Sequence, residues 1–229
     1  MNLNKRTIWT LTALVGGYVF CQILADVAAT KLIDLGGIVL PAGTFVFAVT
    51  FTLRDVIHKR LGKAWAQACI WLAAILNIIM SIYLWAMARL PAPQYYGLAE
   101  PWSQIFAFVP AIVIGSIAAE LISELVDTEA YHWWWKKTPH SPQWSRVLVS
   151  NAISLPLDSL VFASLAFLIL PPLFGGTPLP ISAILSLIGG QILWKAVVTL
   201  ISLPMIYLVK EKPLRITLQT QSAESESWR

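Results

Sequence analysis

The sequence predicts an all-α integral membrane protein of six transmembrane helices, and three observations carry that prediction. Of 229 residues, 57% are hydrophobic and only 12% are charged, about half the charged share of an ordinary soluble domain. Mean hydropathy is +0.69. A soluble fold of this size also buries apolar residues, but it needs far more charge to cover its surface. The apolar residues, finally, fall into six runs, each near the length of about 20 residues that crosses a bilayer as a helix.

These runs are Thr7–Ile33, Ile38–Ile57, Trp65–Leu90, Gln104–Val126, Arg146–Leu170 and Ser182–Val209. Met1 to Arg6 is polar, but the run after it has no small-residue cleavage site, so it reads as a retained first span. The second run is the least regular, because Arg54 and Asp55 fall near its end. Pro- and Gly-bearing connectors, Pro91–Pro101 and Pro171–Pro180, separate later spans. The transmembrane domain thus covers residues 1–212, and 213–229 reads as a polar, disordered cytoplasmic tail.

Orientation follows from the cations. Lys5, Arg6, Arg54, Lys59, Arg60, Lys63, Lys136, Lys137, Arg146, Lys210, Lys212, Arg215 and Arg229 gather on one side, thirteen of sixteen. Lys31 and Arg89 lie on the other, and Lys195 within the sixth span. Both termini are therefore predicted to face the cytoplasm, as an even number of spans requires. Trp65, Trp102, Trp144 and Trp133–Trp135 sit at predicted span ends, where indole rings favour the interface. Trp102 is also placed to touch a ligand at the outer entrance. Three spans on each side of Pro91–Pro101 are open to reading as an inverted repeat with Asp55 and Asp158 as counterparts.

Several function classes fall away. Cys21 and Cys69 lie in apolar runs and form no disulfide or metal framework. His58, His132 and His140 have no ligand spacing, and no nucleotide-binding loop, catalytic triad or HExxH pattern occurs. No catalytic or metal residue, no cofactor and no nucleic-acid partner is expected. Small residues Gly16, Gly17, Ala25, Ala28, Ala29, Gly189 and Gly190 are expected to let helices approach closely.

The informative residues are ionisable groups inside the spans. A charge at mid-bilayer costs at least about 2.5 kcal/mol, so each such group needs a partner or a wet cavity. Asp26, Asp55, Glu120, Glu124, Asp127, Asp158 and Lys195 all lie within spans or at their ends. Glu120, Glu124 and Asp127 share one helical face at i, i+4, i+7. The plainer reading puts Glu124 and Asp127 in the headgroup zone, neutralised by Lys136 or Arg146. Ser150, Ser154 and Asp158 form a stripe on span five, beside Asn151, and Pro156 frees a backbone carbonyl one turn before it. A structural Asp158–Lys195 pair is the alternative to a ligand role there.

The stretch Gly43–Lys63, with Thr50-Phe51-Thr52-Leu53-Arg54-Asp55 and Gly62-Lys63, resembles the second-span signature of the queuosine precursor transporters, the vitamin-uptake-like (VUT) family. Other pieces follow in order: Thr30-Lys31 resembles the end of the first span and Asp127 the Asp closing the fourth. Arg146, Ser150, Asp158-Ser159 and Phe162 are similar to the fifth span, Lys195 and Pro204 to the sixth. The chain departs from the family's pattern at Asp26, where Asn is frequent, at Glu124, where Gln is common, and at Leu155, which replaces Gln or Asn. The resemblance implies a six-helix inner-membrane importer of 7-deazaguanine bases, preQ0 or preQ1, salvaged for tRNA queuosine modification.

The residues suit such a small-molecule nucleobase independently. A guanine-like base shows an N1–H and a 2-amino group on one edge, which a carboxylate accepts bidentately, and a flat face for aromatic stacking. Asp158 or Glu120 offers the carboxylate, and Phe45, Phe47 or Phe51 the ring. Lys195 offers a donor for the O6 carbonyl, and the acids Asp26 and Glu124 favour a ligand with an ammonium, as preQ1 has. The candidate substrate-binding set is thus Asp158, Lys195, Glu120, Glu124, Asp26, Asp55, Asn151, Ser154, Phe45 and Phe51. A second reading is the substrate-binding component of an energy-coupling-factor importer, for which Ala25 and Ala29 would supply an Ala-xxx-Ala contact and a coupling ATPase module would be the partner. A scaffold without transport is disfavoured by the acids and the Lys in the bilayer. Oligomeric state is left open.

Overall fold

Backbone in hydrocarbon must satisfy its own hydrogen bonds, which makes helices the expected form for these apolar runs. The computed structural model of the chain describes residues 5–138 and 143–208. His140, Lys210, Lys212, Arg215, Arg229 and the polar tail lie outside the described residues, as do the side chains of Arg6, Asp55, Lys59, Lys63 and Pro204.

Eight α-helices and one short hairpin make up the described chain, in the order α1 (Lys5–Ala28), β1 (Leu32–Asp34), β2 (Val39–Pro41), α2 (Gly43–Leu61), α3 (Lys63–Ala88), α4 (Ala99–Phe106), α5 (Val109–Lys137), α6 (Gln143–Ser164), α7 (Pro171–Phe174) and α8 (Ile181–Leu208). Five helical segments are long and apolar enough to cross a membrane: Thr7–Ala28, Ala64–Ala88, Ala99–Lys137, Trp144–Ile169 and Ile181–Ile201. The second expected span forms a helix, α2, but is not among these five. Arg54, Asp55, His58, Lys59 and Arg60 crowd its second half.

The described chain is overwhelmingly helical, as expected, but three expected spans need correction. Between the first two, Leu32, Ile33 and Asp34 pair antiparallel with Pro41, Leu40 and Val39. This hairpin occupies residues assigned to the end of span one and the start of span two. Hydropathy cannot separate an apolar hairpin from an apolar helix, but Gly36 and Gly37 mark the turn, with φ of 68° and 95°. The Gly37 N–H donates to Asp34 Oδ1 at 2.6 Å. Span four, next, is longer than Gln104–Val126 and broken near its start. α4 ends at Phe106, and α5 begins at Val109 and runs on to Lys137. Span five, last, is not α-helical throughout: Leu165–Ile169 forms a π-helical turn beyond α6, of the kind that often marks functional sites.

Helix α6 packs most extensively on α5, and α2 packs on α1. One apolar cluster joins Ala29, just past α1, with Ile112, Ala163, Phe167 and Leu187, drawn from α5, α6, the π turn and α8. Another joins Tyr18, Ile57, Ala66, Cys69 and Ala73 from α1, α2 and α3. Among the expected small-residue contacts, Ala25 and Ala29 are buried against α2: a Cβ on Gly43 would collide with the Ala25 carbonyl. Gly190 is likewise pressed to the Val39 carbonyl, seating β2 on α8, whereas Gly16 and Gly189 face open space.

Gly190→Ala is therefore expected to destabilise the detergent-purified protein by about 1–3 kcal/mol through overpacking against backbone. Gly189→Ala is expected to be neutral or slightly stabilising, from helix propensity alone. Equal thermal midpoints for the two variants would refute the hairpin–α8 contact.

Candidate functional site

The charged groups of α6 and α8 meet in the interior. Asp158 and Lys195 are 7% and 5% exposed, and the Lys195 ammonium donates to Asp158 Oδ2. It also reaches Ser159 Oγ at 3.4 Å, while the Ser123 hydroxyl of α5 donates to Asp158 Oδ1 at 3.3 Å. Both carboxylate oxygens thus have donors, which is the condition under which a buried pair is tolerated. Lys195 Nζ lies 5.7 Å from the centroid of the Phe47 ring, at cation–π distance.

This pair forms part of the wall of a small, partly open pocket. Helix α1 contributes Ala25 and Asp26 to it, Ala29 follows just past the helix end, and Pro41 comes from the hairpin. Thr44 and Phe47 come from α2, Ser116 and Ala119 from α5, Asp158 and Phe162 from α6, and Gln191 and Lys195 from α8. Asp26 lies next to Ser116 and is buried, and among the described residues it makes no ion pair. The site therefore offers carboxylate acceptors, one ammonium, two hydroxyls, an amide and two phenyl rings. A flat polar molecule with a cationic edge matches that inventory.

The expected residues divide cleanly. Asp158, Lys195 and Asp26 are on the wall together. Glu124 is not; it pairs with Arg54 of α2 at 2.7 Å. Asp127 accepts a hydrogen bond from Ser154 at 2.9 Å, so Ser154 serves the α5–α6 contact. Glu120 is off the cavity wall but within electrostatic reach of Arg54, Glu124 and Asp158. Asn151 is half-buried on α6, also off the wall. Phe45 stacks edge-on against Trp194, with centroids 4.6 Å apart. Phe51 contacts Phe47 at 5.0 Å and lies under the Arg54 guanidinium at 5.5 Å. Of the three candidate rings, the one on the wall is Phe47. Asp55 belongs to α2, with its side chain outside the described residues.

Sequence reasoning did not single out Ser116, Thr44 or Gln191. A signal existed for Gln191, since it lies four residues before Lys195 on an otherwise apolar helix face. Nor did it find the stripe of Tyr18, Gln22 and Asp26 on α1. All three are buried, and the Gln22 amide donates to the Tyr18 hydroxyl at 3.3 Å.

Long apolar helices around an internal, charged pocket define the class: a multi-pass membrane protein with a candidate binding site. The chain belongs to the family described as "Putative vitamin uptake transporter", which matches residues 41–209. It is also 24% identical over 193 residues, 84% of this chain and 81% of the relative, to the "Probable queuosine precursor transporter" of Bacillus subtilis (strain 168). No solved structure shows a significant match. The protein is thus a membrane transporter and not an enzyme.

Breaking the buried pair from one side leaves an unpaired interior charge. Asp158→Asn is expected to lower unfolding stability by about 3–5 kcal/mol. The double variant Asp158→Leu with Lys195→Met is expected to lose less than the two single changes summed. Strict additivity in detergent unfolding curves would show that the pair contributes no coupling.

Proposed function

We propose that this transporter imports a 7-deazaguanine queuosine precursor across the cytoplasmic (inner) membrane, preQ1 in preference to preQ0. The observation that carries the reading is the shared cavity of Asp158, Lys195, Asp26, Phe47 and Phe162. A carboxylate of this set accepts the N1–H and 2-amino edge of the base, and a phenyl ring covers its face. Asp26, free of any ion pair among the described residues, is the acid left to meet the ammonium that distinguishes preQ1. Glu124, already held by Arg54, drops out of that role. The name of the Bacillus subtilis relative supports the same substrate class.

In this reading α2 is the sixth crossing element. Its 19 residues span about 28 Å as a helix, and Arg54 reaches Glu124 instead of lipid. The cation distribution supports a cytoplasmic location for both termini. The transporter acts without a separate coupling ATPase.

Cells lacking both queuosine synthesis and any energy-coupling-factor module are expected to take up preQ1 when this chain alone is expressed. Competition is expected in the order preQ1, preQ0, guanine. Asp26→Asn is expected to bring preQ1 down to the level of preQ0 without abolishing uptake. Uptake that appears only when a coupling module is supplied would point to the energy-coupling-factor class. Competition by none of the three bases would remove the nucleobase assignment.

A further inference from the structure

We propose that Gln191 is a specificity-determining donor of this site, its side-chain amide N–H donating to the ring carbonyl oxygen of the bound base. The proposal rests on the 7-deazaguanine reading and deepens it.

Gln191 is 2% exposed, and its Nε2 makes no hydrogen bond to the protein. It is at the same time one of the residues that line the pocket. Buried amide groups are ordinarily paired, so a donor held on a polar cavity without a protein acceptor implies an acceptor on whatever enters. Lys195, one turn further along α8, is the other strong donor on the wall. Its ammonium is already engaged with Asp158 and Ser159. The uncommitted amide donor is therefore Gln191, while Asp26 and Asp158 supply acceptors.

That arrangement distinguishes two kinds of purine-like ring. A guanine-type ring presents a carbonyl oxygen next to its N1–H, matching an amide donor beside a carboxylate acceptor. A 6-amino ring presents an NH₂ in place of the carbonyl and a lone pair on N1, which sets donor against donor and acceptor against acceptor. A site built to hydrogen-bond a particular group rejects the analogue lacking it strongly, because buried partners are left unpaired. Selection for the carbonyl thus comes from α8, and selection for the amine from Asp26 on α1.

The test measures binding of preQ1 and of its 6-amino analogue, with the carbonyl replaced by an amino group, to the full detergent-purified chain. Wild-type protein is expected to favour preQ1 by about ten-fold or more. Gln191→Met, similar in length but without donor or acceptor, is expected to bring the two affinities within about three-fold by weakening preQ1. Gln191→Glu, an acceptor of the same shape, is expected to reverse the preference. Because each readout is a ratio within one protein, a general loss of stability does not mimic it. Equal affinity in the wild type, or a wild-type ratio retained in either variant, overturns the role of Gln191 while leaving the substrate class intact. Failure of wild-type protein to bind preQ1 at all overturns the substrate reading and this inference with it.

Discussion

The architecture turns on the Asp158–Lys195 pair. Neither group can face lipid, so α6 and α8 must present these residues inward and at matching depth. Ser123 adds α5 to the same point, because it donates to the carboxylate oxygen that Lys195 leaves open. Three helices are thereby oriented by a single cluster of polar atoms. Such a pair is weak evidence for net stability, since desolvation offsets most of its attraction. Its stronger effect is geometric: it defines which faces meet, and it keeps a polar surface inside an otherwise apolar bundle.

The hairpin between α1 and α2 has a complementary role. Ala42 N–H donates to the Lys31 carbonyl, and Gly43 sits tight against the Ala25 backbone, so the chain reverses within a few residues. Pro41 then becomes part of the cavity wall, and Val39 seats on Gly190 of α8. The hairpin thus links the helix carrying Asp26 to the helix carrying Gln191 and Lys195. A continuous pair of spans through residues 7–57 would have placed lipid-facing helix where the site has a lid of backbone.

How much of this was legible follows from what hydropathy and helical period encode. Membrane location, helical class and five of the six segments came from apolar runs alone. The cost of interior charge singled out seven ionisable residues, of which Asp26, Asp158 and Lys195 line the pocket. Partner choice was another matter. Glu124 and Asp127 looked equivalent on one helical face, yet they diverge to Arg54 of α2 and Ser154 of α6, because each is opposite a different neighbour. The phenylalanines failed for a related reason: Phe45 and Phe47 are two residues apart and so point to different sides of α2, and only packing decides which side is the cavity. Gln191 escaped because an uncharged amide raises no alarm in a hydropathy profile. Its meaning lies in the missing partner, which is a three-dimensional fact.

The acids of this chain consequently divide by whether the protein already answers them. Arg54 answers Glu124, Ser154 answers Asp127, and Lys195 with Ser123 answers Asp158. Ser116 hydrogen-bonds Asp26, which has no cation among the described residues, and Gln191 Nε2 has no acceptor. Both face the same cavity from different helices. A ligand that carries a cation and a carbonyl would meet the uncompensated carboxylate and the unpartnered amide at once, and in doing so tie α1 to α8. A ligand shifts a conformational equilibrium only by its differential contacts with the two states, so a ligand making this tie would favour arrangements in which α1 and α8 stay together.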